Sequence, residues 1–162
     1  MVTLQTRTRV AAPPERCFDL ARSVDHHARS SAPIRGRAVG GRQSGLAGPG
    51  EWTTWSARFF GLRFRLTTRI GGYDRPRAFE DVMTRGLFRR FGHRYTFEPD
   101  GAGGTVATDA FYFESPGGPL GRAFDWWVLR PRMRALLEHR AAYLRRAAEG
   151  DEGTVPEATR AG

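Results

Sequence analysis

The stretch EWTTWSARFFGLRFRLTTRI, residues 51–70, carries the period that sorts this chain into a fold class. Thr53, Trp55, Ala57 and Phe59 share one side of its first half, and Leu62, Phe64, Leu66, Thr68 and Ile70 share one side of its second. Arg63, Arg65, Thr67 and Arg69 take the other side. Successive side chains of an extended chain point to opposite faces, so a period of two marks a strand with one face buried and one in water. Two such strands meeting at Gly61 read as an antiparallel hairpin.

The same period extends in both directions. Residues 34–42 form a weak, glycine-rich strand that runs into the loop SGLAGPG at 44–50. Downstream, strands are expected at 77–85, 89–98 and 105–114. They are separated by the turn at 72–76, a hairpin near Gly86-Leu87 and the loop DGAGG at 100–104. Residues 2–10, VTLQTRTRV, also alternate, which brings the count to seven antiparallel strands, six of them consecutive. After strand one, a proline in the first turn opens a short helix over 15–22, with Cys17, Phe18 and Ala21 inward. Ser23 or Asp25 can cap a second over about 25–31, which Pro33 ends.

Ser115-Pro116-Gly117-Gly118-Pro119 breaks the strand pattern, and a long helix follows from about 119 to 148. Its stripe is Leu120, Phe124, Trp127, Met133, Leu136, Leu137, Arg140 and Leu144, and Pro131 should bend it near Trp127. The expected unit is one α+β domain over 1–149, with a polar tail over 150–162 read as disordered. A curved seven-stranded antiparallel sheet, two short helices and one long helix across its concave face leave a cavity wherever side chains are too small to fill the gap.

Composition narrows the function classes. A chain of 162 residues can bury a sizeable core. Net charge is +9, and all 26 basic residues are arginine, which with abundant Ala and Gly suggests a high-GC bacterial genome. The arginines are dispersed and form no run of five or six, which argues against nucleic-acid binding. No apolar run approaches the ~18 residues of a membrane span. Arg7, Arg9, two prolines and Glu15 rule the first twenty residues out as a signal peptide. The lone Cys17 suits a reducing cytoplasm and is read as packed.

The segments APPERCFDL (12–20), SVDHHARS (23–30), GEWTTWSARFFGLRFRLTTRI (50–70), YDRPRAFEDVMTRGLFRRFGHRYTFEP (73–99) and TDAFYFESPGGPLGRAFD (108–125) carry a family resemblance. In that order the chain resembles the START/Bet v 1-like, helix-grip superfamily, also called SRPBCC or polyketide cyclase-like, and within it the bacterial ligand-binding group. The resemblance spans residues 2–148 and implies a helix-grip fold. The superfamily includes lipid carriers, hormone receptors, aromatase/cyclases and chaperone co-regulators, and it shares no single catalytic motif.

One strand then stands out. FGHRYTF, residues 91–97, sets His93 on the same face as Phe91, Tyr95 and Phe97. If strands five and six turn about position 87, Asp81 faces His93; if strands six and seven turn about Gly101, Asp109 faces His93. Asp81, His93 and Asp109 would then form one rung across three strands, on the face that meets the long helix. Such a rung can be a buried structural network, a group that orients a ligand, or an acid–base pair with His93 as base. Nothing else supplies metal-ligand spacing, and no glycine-rich strand-to-helix turn supports a dinucleotide, so neither a metal nor a cofactor is expected.

His27 is the second candidate, near the cavity mouth if the resemblance holds, or else an exposed helix residue. His139 is read as solvent-facing. Trp55, Phe64, Tyr95, Phe111 and Trp127 are read as pocket walls or plain core. The leading expectation is a small hydrophobic or aromatic ligand in an internal cavity. The alternatives are a cyclase or aromatase using His93, and an interaction module using the Arg63, Arg65 and Arg69 face, whose binding would be strongly salt-sensitive.

Overall fold

A computed structural model describes residues 1–150; the remainder of the tail expected to be disordered lies outside the described residues. The sheet comprises β1 (Val2–Val10), β2 (Arg37–Gly41), β3 (Trp52–Phe59), β4 (Leu62–Asp74), β5 (Ala78–Arg85), β6 (Arg90–Pro99) and β7 (Thr105–Glu114). Its order is β1-β7-β6-β5-β4-β3-β2, antiparallel throughout. Helices α1 (Pro14–Ala21) and α2 (Val24–Ser30) follow β1, with a 3-10 turn at Ala32–Ile34. At the C-terminal side, α3 (Gly118–Phe124), a π-helical turn (Asp125–Leu129) and α4 (Arg130–Glu149) run on without a break. This is the helix-grip architecture.

Local chemistry accounts for these boundaries. Pro14 begins α1, where its missing N–H costs nothing, and the Ser23 hydroxyl accepts from the His26 N–H at 3.3 Å to cap α2. Gly117 and Gly118, at φ 96° and 57°, make the left-handed entry into α3. Pro131 has no N–H to return to Trp127, and the helix widens just before it: the Arg130 N–H reaches back five residues to the Asp125 carbonyl. The bend expected near 127–131 is therefore a π-turn.

That turn carries a correction. An extra residue per turn rotates the inner stripe, so Asp125 and Leu129 are buried while Trp126 and Trp127 are 52 % and 77 % exposed. Trp127, expected as a pocket wall, faces outward.

The strand registers carry a second. β5 and β6 pair as expected, Asp81 opposite His93 and Phe79 opposite Tyr95. Between β6 and β7 the register is two residues away from expectation: His93 lies opposite Phe111, Tyr95 opposite Asp109 and Phe97 opposite Ala107. Asp100 sets the turn. Its Oδ1 accepts from the Ala102 and Gly104 N–H groups at 2.8 and 2.9 Å, which centres the loop on Ala102 rather than Gly101. Because side chains alternate with a period of two, a shift of two leaves every residue on its face.

The helices grip one end of the sheet. Arg16 donates to the carbonyls of Ala148 and Ala147 at 2.6 and 3.2 Å, and Glu149 accepts from the Ala11 N–H at 2.9 Å, pinning the end of α4 to α1 and β1. Phe18 is fully buried there, edge-on to Tyr73, Phe79 and Phe97 with centroids 5.3, 5.3 and 5.7 Å away. A second apolar cluster, Leu4, Phe111, Phe113, Leu129, Met133 and Leu137, seals α4 onto β1 and β7. Removing the Phe18 ring leaves a cavity that rigid sheet neighbours cannot collapse, so Phe18→Ala should cost about 3–5 kcal/mol in urea unfolding. A cost below ~1 kcal/mol would show that this end is not the anchor.

Candidate functional site

Between α4 and the half of the sheet it does not cover lies a cavity of about 590 Å³. Trp55, Ala57 and Phe59 of β3 and Phe64, Leu66 and Thr68 of β4 form one wall; Met133, Leu136 and Leu137 of α4 form the other. Phe60, Leu87, Leu120 and Phe124 line it at residues that are also exposed, and so mark its mouth. Polar groups gather at the end of the β3–β4 wall: Thr68 itself, with His27, Asp81, His93 and Arg140.

His93 is buried and held from behind. Its Nδ1 lies 2.9 Å from Oδ1 and 3.2 Å from Oδ2 of Asp109, a contact that the two-residue register shift makes diagonal rather than direct. The imidazole stacks between Tyr95 (5.4 Å, 7° between planes) and Phe111 (4.4 Å, 23°). The expected rung of three therefore splits. Asp109 sits behind His93 and away from the cavity, whereas Asp81 faces it. Burial pushes the Asp81 carboxyl up; the Thr68 hydroxyl, His93 and Arg140 pull it partly back. Thr68 in turn accepts from the Trp55 indole N–H at 3.2 Å.

Arg140 is the cavity-lining residue that sequence reasoning passed over. It appeared in the α4 stripe as one polar member among leucines, and that position was the available signal. Its Nη2 donates to the Tyr95 hydroxyl at 3.0 Å and to His27 Nδ1 at 2.9 Å, and its Nε is buried without a partner. Both acceptors stay neutral. Burial drives the Tyr95 phenol up, out of its ordinary range, and burial together with the Arg140 charge holds His27 well below its usual value. Burial opposes the charge on Arg140 itself, but Tyr95, Asp109 and Asp81 outweigh it and hold the guanidinium above its ordinary value.

The other expected residues fall into place around this cluster. His27 lines the cavity with its ring 4.2 Å from Trp55, while Phe64 and Phe111 are wall residues. Tyr95 lies beneath the floor rather than in the wall, and its hydroxyl meets Arg140. His139 is exposed, as are Arg63, Arg65 and Arg69. Among the described residues no cluster of His, Cys, Asp and Glu has metal-holding geometry, and no helix is long and apolar enough to cross a membrane.

The family model described as polyketide cyclase/dehydrase and lipid transport matches residues 1–149. No curated protein sequence matches the chain. Among solved structures, the fold is similar to the protein TTHA0849 from Thermus thermophilus, with TM-score 0.69 and 18 % identity over 91 % of this chain and 99 % of that one. It is also similar to a START superfamily protein from Mycobacterium smegmatis (TM-score 0.66, 15 % identity, 93 % and 99 % covered). A third similar structure is Ara h 8.0201 (TM-score 0.59, 15 % identity, 88 % and 97 % covered). At these identities the likeness is one of fold.

His26, next to His27 but on the far side of α2, is buried against Tyr143, and burial with the Arg140 and Arg29 charges lowers it to about 4. The unfolded chain, with histidine near ~6.5, therefore binds a proton that the native state refuses. Stability should be full above about pH 6.5 and fall by up to ~3 kcal/mol as pH drops towards the folded value. His27 acts in the same direction, and Asp81, whose value is raised, acts in the opposite one. His26→Gln should flatten the slope of unfolding free energy against pH across that window; an unchanged slope would remove His26 as its source.

Proposed function

The chain belongs to the polyketide cyclase/dehydrase and lipid transport family, and from that premise we propose that it binds a small hydrophobic or aromatic molecule inside the cavity between α4 and the sheet. The observation that carries this reading is the cavity itself, about 590 Å³, apolar along its walls and polar at the cluster around Arg140 and His93. Its size is within the ~300–1,000 Å³ of small-molecule sites, and apolar walls with a few fixed polar groups are the composition such sites share. The walls contribute affinity by releasing water, and the polar cluster sets the orientation of the ligand.

The test uses a neutral apolar fluorophore, N-phenyl-1-naphthylamine, titrated into wild type and into Ala57→Trp, which fills the β3 wall. Wild type should bind it, and the variant should bind at least about tenfold more weakly while keeping its circular dichroism spectrum. Absence of binding to wild type, or equal binding by the two, would sink the reading.

A second reading is favoured by the His93–Asp109 contact. If Asp109 accepts the Nδ1–H, the Nε2 lone pair remains for a proton taken from a substrate carbon or hydroxyl, as cyclisation or aromatisation of a polyketide-like chain requires. Phe111 and Tyr95 would keep the ring in plane while the proton moves. His93→Gln keeps a polar side chain without the base. Loss of turnover by about 10²-fold or more with ligand binding retained would establish this role, and turnover that survives both His93→Gln and His93→Ala would remove it.

A further inference from the structure

Arg140 is a partly buried cation at the cavity surface with no counter-ion in contact. Its partners, the Tyr95 hydroxyl and His27 Nδ1, are both neutral, and among the described residues no carboxylate lies within the 4.0 Å of an ion pair. Its Nε is buried with no acceptor at all. Charged groups taken out of water are normally paired, because their lost hydration must be offset by an opposite charge and by hydrogen bonds. An arginine also cannot escape by losing its proton. This one lines a cavity whose walls are apolar, so the missing partner can come from what the cavity holds.

We infer that the ligand is an amphiphilic carboxylate, an apolar or aromatic body ending in one acidic group, with the carboxylate against Arg140 and the body directed along the apolar walls towards Phe60, Leu87, Leu120 and Phe124. The inference rests on the reading of the cavity as a ligand site. Asp81 and Asp109 act on Arg140 through space and set the charge limit. A single negative charge completes the guanidinium, whereas a phosphate dianion would bring a second charge into the cavity that Asp81 also lines. An arginine that only braces α4 to α2 and β6 would make the same two hydrogen bonds and show no preference for acids.

The experiment is a matched-pair competition against N-phenyl-1-naphthylamine at about pH 8, where a carboxylic acid is ionised. Dodecanoate is compared with methyl dodecanoate, and 2-naphthoate with methyl 2-naphthoate. Wild type should prefer each acid over its ester by about tenfold or more. Arg140→Met should bring the ratio near one while still binding the esters, and Arg140→Lys should keep part of the preference. Equal affinity of wild type for acid and ester overturns the inference and leaves the cavity reading standing. Failure of wild type to bind any of the four compounds overturns both. A preference that survives Arg140→Met overturns the role of Arg140. Should that variant fail to fold, the wild-type ratio and the Lys variant still decide the question.

Discussion

An α-helix is about 10 Å wide, and a seven-stranded sheet is about 29 Å across its strands. One long helix laid on the concave face therefore covers part of the sheet and must leave the rest. Here α4 is drawn to the β1 and β7 side by Leu4, Phe111, Phe113, Met133 and Leu137, and its end is tied to α1 through Arg16 and Glu149. The short helices fill the near end around Phe18. What remains over β3, β4 and β5 is the cavity, and its volume is the direct consequence of that incomplete cover.

Burial then governs the polar groups at the cavity's edge. Two of them, His27 and Tyr95, are held neutral by desolvation, and the same desolvation raises the Asp81 carboxyl. Neutral partners let Arg140 be oriented without being neutralised, so the positive charge stays available within an apolar space. His93 is treated differently. Two aromatic faces and the Asp109 carboxylate fix its ring, which turns an ionisable side chain on a hydrophobic strand face into a rigid one. The same floor therefore carries both proposals, recognition of an anion at Arg140 and proton transfer at His93.

The alternation in 51–70 and 91–97 made the sheet legible, and the face of each residue was right even where its partner was not. The β6–β7 register was displaced by two because Asp100 folds the loop about Ala102, a side-chain-to-backbone effect that strand periodicity does not contain. His93 and Asp109 nevertheless meet, since diagonal neighbours on one face are within reach of these side chains. Trp127 was misplaced because helical periodicity assumes a constant turn, and the π-turn ahead of Pro131 rotates everything before it. Arg140 was visible in the helical stripe but had no meaning there, because its partners His27 and Tyr95 lie 113 and 45 residues away in the chain.

The amino-acid sequence by itself determined the strand pattern, the inward position of His93, Asp81 and Arg140, the break at Gly117 and the bend ahead of Pro131. These depend on local backbone preference and on a period of two or 3.6, which are properties of neighbouring residues. Only the tertiary structure decided which inward groups face the cavity and which lie behind it. It separated Asp81 from Asp109, turned Trp127 outward, and left Arg140 without a counter-ion. The physical reason is that desolvation and charge pairing depend on three-dimensional distance between segments remote in the chain, and strand or helix period carries no information about that distance.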